Sequence, residues 1–454
     1  MVMFRNSKNI MPSSGRLRPL GDLESFFAWA NAEFGAFTIS AVVRLSGYLD
    51  VEKLRRAVTN VVAADQLLSS SIVASGSRTP CFQQFGNSPP KVDVLLRRSD
   101  ADWQAVLQEN VNRPFTYVDG ICRSLFDMAI LPGIGQHELV FRIHHSICDG
   151  KGLVTLLDRI MGDYDRQQKS SADYHPAALE VAKPVCGRIG NRHRLAATMQ
   201  LLRSTAVDAL RGGATGALKC QGPEADYEGP TVVTCLSMTE QETAVFLKAC
   251  RLHQTTVNAA IAAASLQAAA ETWHPPEKLS IQTNLDLRPR LGILSGVETV
   301  SMSSFWLSTR HAPGRANSFW DLAREYRHEV STKLQSSAVP PLGFTLLAKR
   351  FLRLSARSKQ RGRTSDLMLS NLGVIPVQSA ESALRVDEFY FATSQSGIGS
   401  RIGVTAATVQ SKLCLTCLTL APDAQTKGQM FLSDLQRRLL RESAGVEVPS
   451  VALG

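Results

Sequence analysis

The sequence predicts an α/β chain, of the two-layer α+β kind, built as two lobes. Three observations carry this. The chain has 454 residues, more than one ordinary core, because domains cluster near roughly 150 residues. Apolar residues at helical spacing alternate with short strand-like runs on both sides of the middle. The middle itself, residues 167–230, is rich in Ser, Ala, Pro and Gly and reads as a connection. The lobes are placed at 1–180 and 231–454, with 181–230 as linker.

In the first lobe, Leu23, Phe26, Phe27 and Ala30 mark a helix, and Ala36–Leu45 a strand. Asp50 begins a second helix, with Leu54, Ala57, Val58, Val61 and Val62 at helical spacing. Short strands are expected at 80–85 and 91–96, a helix at 100–111, and adjacent strands at 125–130 and 139–144. A helix runs from Gly152 to about Tyr164. Within the connection one helix is expected at 194–210. In the second lobe, Thr231–Met238 is a strand, and Thr239 with Glu242 three residues on forms a capping-box pattern. Thr256 caps an Ala-rich helix from Val257 to about Thr272. A strand at Leu279–Leu285 leads into Asp286-Leu-Arg-Pro-Arg290. Further strands are expected at 303–309, 366–371, 388–394, 402–409 and 413–419, and helices near 317–335, 343–357 and 426–441.

Composition narrows the function. Hydrophobic content of 44% and charged content of 20% are those of a globular protein. The net charge of +10 favours anionic partners, and no nucleic-acid motif is visible. Neither GxGxxG nor a P-loop occurs, which argues against nucleotide folds of those kinds. The nine cysteines are scattered. Cys414 and Cys417 form a CxxC inside an apolar run with no second pair, so they read as small apolar residues in a strand. Reduced thiols, no h-region near the start and no run of 18 apolar residues point to a cytoplasmic protein without a transmembrane segment.

The chemistry concentrates in Leu139-Val-Phe-Arg-Ile-His-His-Ser-Ile-Cys-Asp-Gly150. Histidine has the side-chain pKa nearest neutrality and is the natural general base. His145 shares strand parity with Leu139, Phe141 and Ile143, so it is expected on their apolar side. His144 faces the other way, as a structural hydrogen-bonder. A buried Asp149 needs a cation, and Arg288 or Arg290, just after an apolar strand, can supply it. Gly150 allows a tight turn. No His, Cys or carboxylate set with ligand spacing supports a metal.

His144-His145-Ser-Ile-Cys-Asp149-Gly150 matches the HHxxxDG motif and resembles the superfamily of peptide-synthetase condensation domains, CoA-dependent O-acyltransferases and chloramphenicol acetyltransferase. The resemblance covers most of the chain, including Asn112-Arg-Pro-Phe115 with Gly120-Ile-Cys-Arg123, the helix pair from Thr239 to Thr272, Asp286-Leu-Arg288, and Ser370-Asn-Leu-Gly373. The last is similar to an SNLG segment of free-standing bacterial members. The plant-type DFGWG motif is missing, and Ser394-Gln-Ser-Gly-Ile-Gly399 stands in that region.

The resemblance implies two chloramphenicol-acetyltransferase-like lobes with an active-site tunnel between them. It implies His145 as general base and Asp149 as an anchor held by Arg288, with no acyl-enzyme and no bound cofactor or metal. The co-substrate would be an acyl-CoA or a phosphopantetheine thioester on a carrier protein, and the acceptor a small-molecule or lipid alcohol. The Gly150 amide, Ser370 and Asn371 are the candidate oxyanion donors. Lys349, Arg350 and Arg353 head a run of basic residues beside Phe344, Leu346 and Leu347. That run reads as a solvated helix face, a landing patch for CoA phosphates or an acidic carrier protein, or a peripheral membrane contact. The chain is expected to be a monomer working in secondary-metabolite or lipid biosynthesis. Amide formation on an amine acceptor and a non-catalytic binding role are the competing readings.

Overall fold

The computed structural model describes residues 15–444, apart from 75–78, 85–89, 170–176, 200–228, 274–277, 294–297, 358–362, 377–381, 396–397, 421–423 and positions 338, 342 and 383. The first half runs β1 (Arg16–Pro19), α1 (Asp22–Phe34), β2 (Thr38–Gly47), α2 (Val51–Ala64), β3 (Ser71–Val73), β4 (Cys81–Gln83), β5 (Lys91–Val94), α3 (Asp102–Asn112), β6 (Ile121–Cys122), β7 (Phe126–Leu131), β8 (Gln136–His144) and α4 (Gly150–Lys169). Two short helices follow, α5 (Val185–Arg188) and α6 (residues 191–199). The remainder of the helix expected at 194–210 lies outside the described residues.

The second half runs β9 (Val232–Ser237), α7 (Glu240–Leu252), α8 (Val257–Trp273), β10 (Leu279–Asp286), α9 (Arg288–Leu291), β11 (Ser304–His311), α10 (Phe319–Ser337), α11 (Phe344–Arg357), β12 (Arg363–Val374), β13 (Leu384–Thr393), β14 (Gly399–Val409), β15 (Lys412–Thr419) and α12 (Ala424–Ser443). The fold is α/β in two lobes, as the alternating periodicities predict. Three short strands, β1, β3 and β6, escaped the sequence reading because two to four residues are too few to display a period.

Each lobe is a sheet covered by helices. The first sheet has the order β13-β2-β8-β7-β5 and the second β11-β10-β12-β14-β15-β9. A small third sheet orders β1-β4-β3-β6. In the first core, Leu54, Ala57, Val58 and Val61 of α2 meet Leu153, Leu157 and Ile160 of α4. In the second, α8 is buried around its whole circumference between α10 and α12, and its alanines let backbones approach closely. The capping box at Thr239 forms, with Thr239 Oγ1 accepting from the Glu242 amide and Glu242 accepting from the Thr239 amide. Cys414 and Cys417 are buried apolar fillers of β15, and burial pushes the Cys414 thiol up to about 12.

Sequence order and space diverge at β13. It pairs antiparallel with β2 along its length, Phe389 opposite Val43 and Phe391 opposite Ala41, so a strand from the second half forms one margin of the first sheet. Arg44 and Glu388 pair across that seam at 2.8 Å. Two further ties join the halves. The Gln108 and Asn112 side chains hydrogen-bond the backbone at Thr231 and Val233. The buried Asp65 carboxylate accepts from the Val300 amide at 2.7 Å.

Candidate active site

The HHxxxDG segment spans the end of β8, a five-residue connection (145–149) and the start of α4. His144 is the last strand residue and is buried. Its Nδ1 accepts from the Ser146 amide at 3.1 Å, so Nε2 carries the proton and donates to Tyr117 Oη at 3.1 Å. Burial, with the neighbouring His145 and Arg142, pushes its pKa down to about 3. It is a neutral scaffold that pins the turn.

His145 lies one residue beyond the strand and is only partly buried. Its ring stacks on Phe27 with centroids 4.0 Å apart and meets Phe37 edge-on. This apolar surroundings differs from the one its parity suggested. Leu139, Phe141 and Ile143 belong to the first-lobe core, whereas Phe27 belongs to an inter-lobe cluster with Phe26, Met302, Phe305 and Phe344. The turn ends the strand alternation before His145 and swings it toward the second lobe. Nδ1 donates to the Cys148 carbonyl at 2.9 Å, which leaves the Nε2 lone pair able to accept a proton. Burial lowers the pKa below the ordinary histidine value, against an upward pull from the Asp149 charge and the Cys148 carbonyl.

Asp149 takes no part in that hydrogen bond. It turns to the second lobe, where Arg288 grips it with both terminal nitrogens, at 2.9 and 3.0 Å. The Ser303 and Gly152 amides each donate to it at 2.9 Å. Burial alone would raise the carboxyl, but the Arg288 charge and these hydrogen bonds hold it below the usual carboxylate range. Arg288 also binds Asp286 at 3.1 Å and the Ser301 carbonyl at 2.9 Å. Arg290, the other arginine the sequence offered, points away and donates to the Leu334 carbonyl.

Gly150 opens α4 with no room for a side chain, because a Cβ would sit 2.4 Å from Leu372 Cδ2. Lys151 Nζ donates to the Leu372 carbonyl at 2.5 Å. These two contacts seat α4 on an irregularity in the β12–β14 register between Asn371 and Val374. Asn371 Oδ1 accepts from the Gly373 amide at 2.8 Å, and Gly373 takes φ +70°, a left-handed value that glycine adopts freely.

Two cavities of about 600 Å³ share His145, Asn284, Ser304, Met368 and Thr393. One lies against α4 and is lined also by Asp149, Gly150, Lys151, Asp286, Ser370 and Asn371. The other is walled by Phe26, Phe27, Phe37 and Trp306, with Gln395, Ile398 and Gly399. The structure thus brings His144, His145, Asp149, Gly150, Arg288, Ser370 and Asn371 together.

It sets the basic patch apart. Lys349 Nζ lies over the Trp29 ring at 5.6 Å and Arg350 is exposed. Their helix, α11, starts at Phe344, which packs against Phe26 and Trp306 behind the aromatic cavity. Arg353 is on α11, its side chain outside the described residues. Sequence reading did not find Phe27, Tyr117, Asn284, Lys151 or the Cys148 carbonyl. Phe27, Tyr117 and Asn284 reach the site through tertiary packing, whereas Cys148 and Lys151 are placed by the turn and helix start within and just after the motif, at positions it leaves unspecified. Among the described residues, His311, Glu325 and Glu329 could group around a metal ion, on β11 and α10 and outside both cavities.

The geometry is that of a partly exposed imidazole at the junction of two cavities, beside a cross-lobe clamp, and known proteins share its frame. Residues 228–420 match the family described as phthiocerol/phthiodiolone dimycocerosyl transferase C-terminus. A phthiocerol/phthiodiolone dimycocerosyl transferase of Mycobacterium leprae (strain TN) is 26% identical over 268 residues, 57% of this chain and 60% of that protein. The match spans less than two thirds of the relative's length.

Similar solved structures include polyketide synthase associated protein 5 from Mycobacterium tuberculosis, with TM-score 0.65 at 16% identity over 95% of this chain and 99% of that one. The first condensation domain of the calcium-dependent antibiotic synthetase gives 0.72 at 15% identity, over 95% and 98%. Trichothecene 15-O-acetyltransferase from Fusarium sporotrichioides gives 0.69 at 13%, over 96% and 97%. At these identities the likeness is one of fold. The fold is that of condensation-domain and acetyltransferase structures, and residues 228–420 carry the match to the transferase family.

Proposed function

We propose that this protein moves an acyl group from a CoA or carrier-protein thioester to a hydroxyl acceptor, with His145 as general base. The observation that carries the reading is the fixed tautomer. The Cys148 carbonyl holds Nδ1–H, so Nε2 stands free where the two cavities meet. The acceptor hydroxyl gives its proton to Nε2 while its oxygen bonds to the thioester carbonyl carbon. The tetrahedral intermediate then expels the thiolate, which takes the proton back from the imidazolium.

Donor orientation follows from charge. The positive end of α4 and the Lys151 ammonium lie on the α4 side of His145, where a developing oxyanion is best met. The Gly150 amide, Ser370 and Asn371 line that side and are the donors the reading assigns. The donor thioester therefore occupies the cavity against α4. The Asp149–Arg288 clamp positions the base-bearing turn against the second lobe and does not relay protons.

The named activities of the relatives, a dimycocerosyl transferase and an acetyltransferase, support acyl transfer as the reaction class. Thiol release tests it. Acetyl-, malonyl- or long-chain acyl-CoA with an alcohol pool is expected to liberate free CoA, and His145→Ala to slow turnover about 10²- to 10⁴-fold. Undiminished release by that variant would exclude the mechanism.

A further inference from the structure

The two cavities that meet at His145 differ in charge. The one against α4 is lined by Asp149, Lys151 and Asp286. The aromatic one holds no carboxylate, ammonium or guanidinium among the described residues that line it. Its lining is of two chemical kinds. Phe26, Phe27, Phe37 and Trp306 form one, tied by ring contacts of 5.3 to 6.4 Å. Phe344 backs this wall, 5.3 Å from Phe26 and 5.5 Å from Trp306. The rest of its lining offers neutral hydrogen-bonding groups, among them Gln282, Asn284, Thr393 and Ser400. His145 itself is neutral there, its pKa lowered by burial.

We infer that the aromatic cavity seats the acceptor, and that the acceptor is an uncharged hydroxyl compound with a flat apolar body. This rests on the acyl-transfer reading, which assigns the other cavity to the thioester. Amines arrive protonated at neutral pH. An ammonium entering this cavity finds no carboxylate, and a carboxylate finds no cation, so each would be buried unpaired. A neutral aromatic alcohol incurs neither cost. Its ring fills the aromatic wall, its polar edge meets the amides and hydroxyls, and its hydroxyl reaches Nε2.

Wild-type protein without a thioester cannot turn over, so binding is measurable directly by calorimetry. The probes are 2-(2-naphthyl)ethanol, 2-(2-naphthyl)ethylamine and 2-naphthylacetic acid. The alcohol is expected to bind at least about tenfold more tightly than either charged analogue. Trp306→Ala should weaken the alcohol about 10- to 100-fold, and Trp306→Phe less. Gln282→Glu should reverse the preference between alcohol and amine, with the shift falling on the acceptor's affinity and not on the thioester's. Equal or tighter binding of the amine or the acid overturns the inference. So does an unchanged alcohol-to-amine ratio in Gln282→Glu, or no binding of any probe. If the alcohol binds as expected but no thioester yields free thiol, the acyl-transfer reading fails and the neutral aromatic cavity stands.

Discussion

At the scale of single residues, one ring hydrogen bond separates the two histidines of the site. His144 spends both ring nitrogens on Ser146 and Tyr117, and His145 spends only Nδ1. The pH dependences follow. His145 is held below the ordinary histidine pKa, so the neutral base persists into mild acid. The acid limb of kcat/KM should fall below pH 6.5, and a limb at or above that value would contradict the assignment. His144 titrates near 3 in the folded protein against about 6.5 unfolded. Between those values the unfolded chain binds the extra proton. Stability is therefore whole above pH 6.5 and declines as pH falls, by roughly 1.4 kcal/mol per unit. Chemical denaturation from pH 7 to 4 should show this slope, and His144→Asn should flatten it. Asp149→Ala leaves Arg288 buried against Asp286 alone. A loss of about 3–5 kcal/mol is expected, and an unchanged melting temperature would show the clamp to be dispensable.

At the scale of elements, the critical joint is α4 on β12. Gly150→Ala drives a methyl into Leu372 and should cost about 1–3 kcal/mol, together with activity. Gly187→Ala is the control, since nothing lies within reach of its Cβ, and should be nearly neutral. The elements themselves were highly legible. Asp50 caps α2 through the Lys53 amide, Thr256 caps α8 through the Ala259 amide, and the stripe Leu54–Val62 is the buried face of α2. Local chemistry decides such features within a few residues, so a sequence displays them. The place of His145 was less legible. Alternation predicts facing only while the strand lasts, and β8 stops at His144. The small sheet of β1, β3, β4 and β6 was largely hidden, because pairing across distant segments rather than local pattern makes it.

At the scale of the whole molecule, the halves are interleaved rather than appended. β13 crosses from the second half into the first sheet, and Asp149, Arg288 and Ser303 knit the turn to the far lobe. Fragments 1–199 and 229–454 expressed apart should each fail to give a cooperative transition, the first because β2 has lost the partner along one edge. Mixing them should restore structure and any thiol release. Two independently folding fragments would reject this coupling.

The order of the longer helices and strands, the helix caps and the HHxxxDG segment were written in the chain, because each depends on neighbours a few residues apart. The choice of Arg288 over Arg290, the Phe27 stack, the Cys148 carbonyl that sets the tautomer, and the split between a charged and a neutral cavity were not. Each depends on turn geometry or packing between lobes, and only the folded chain sets those distances.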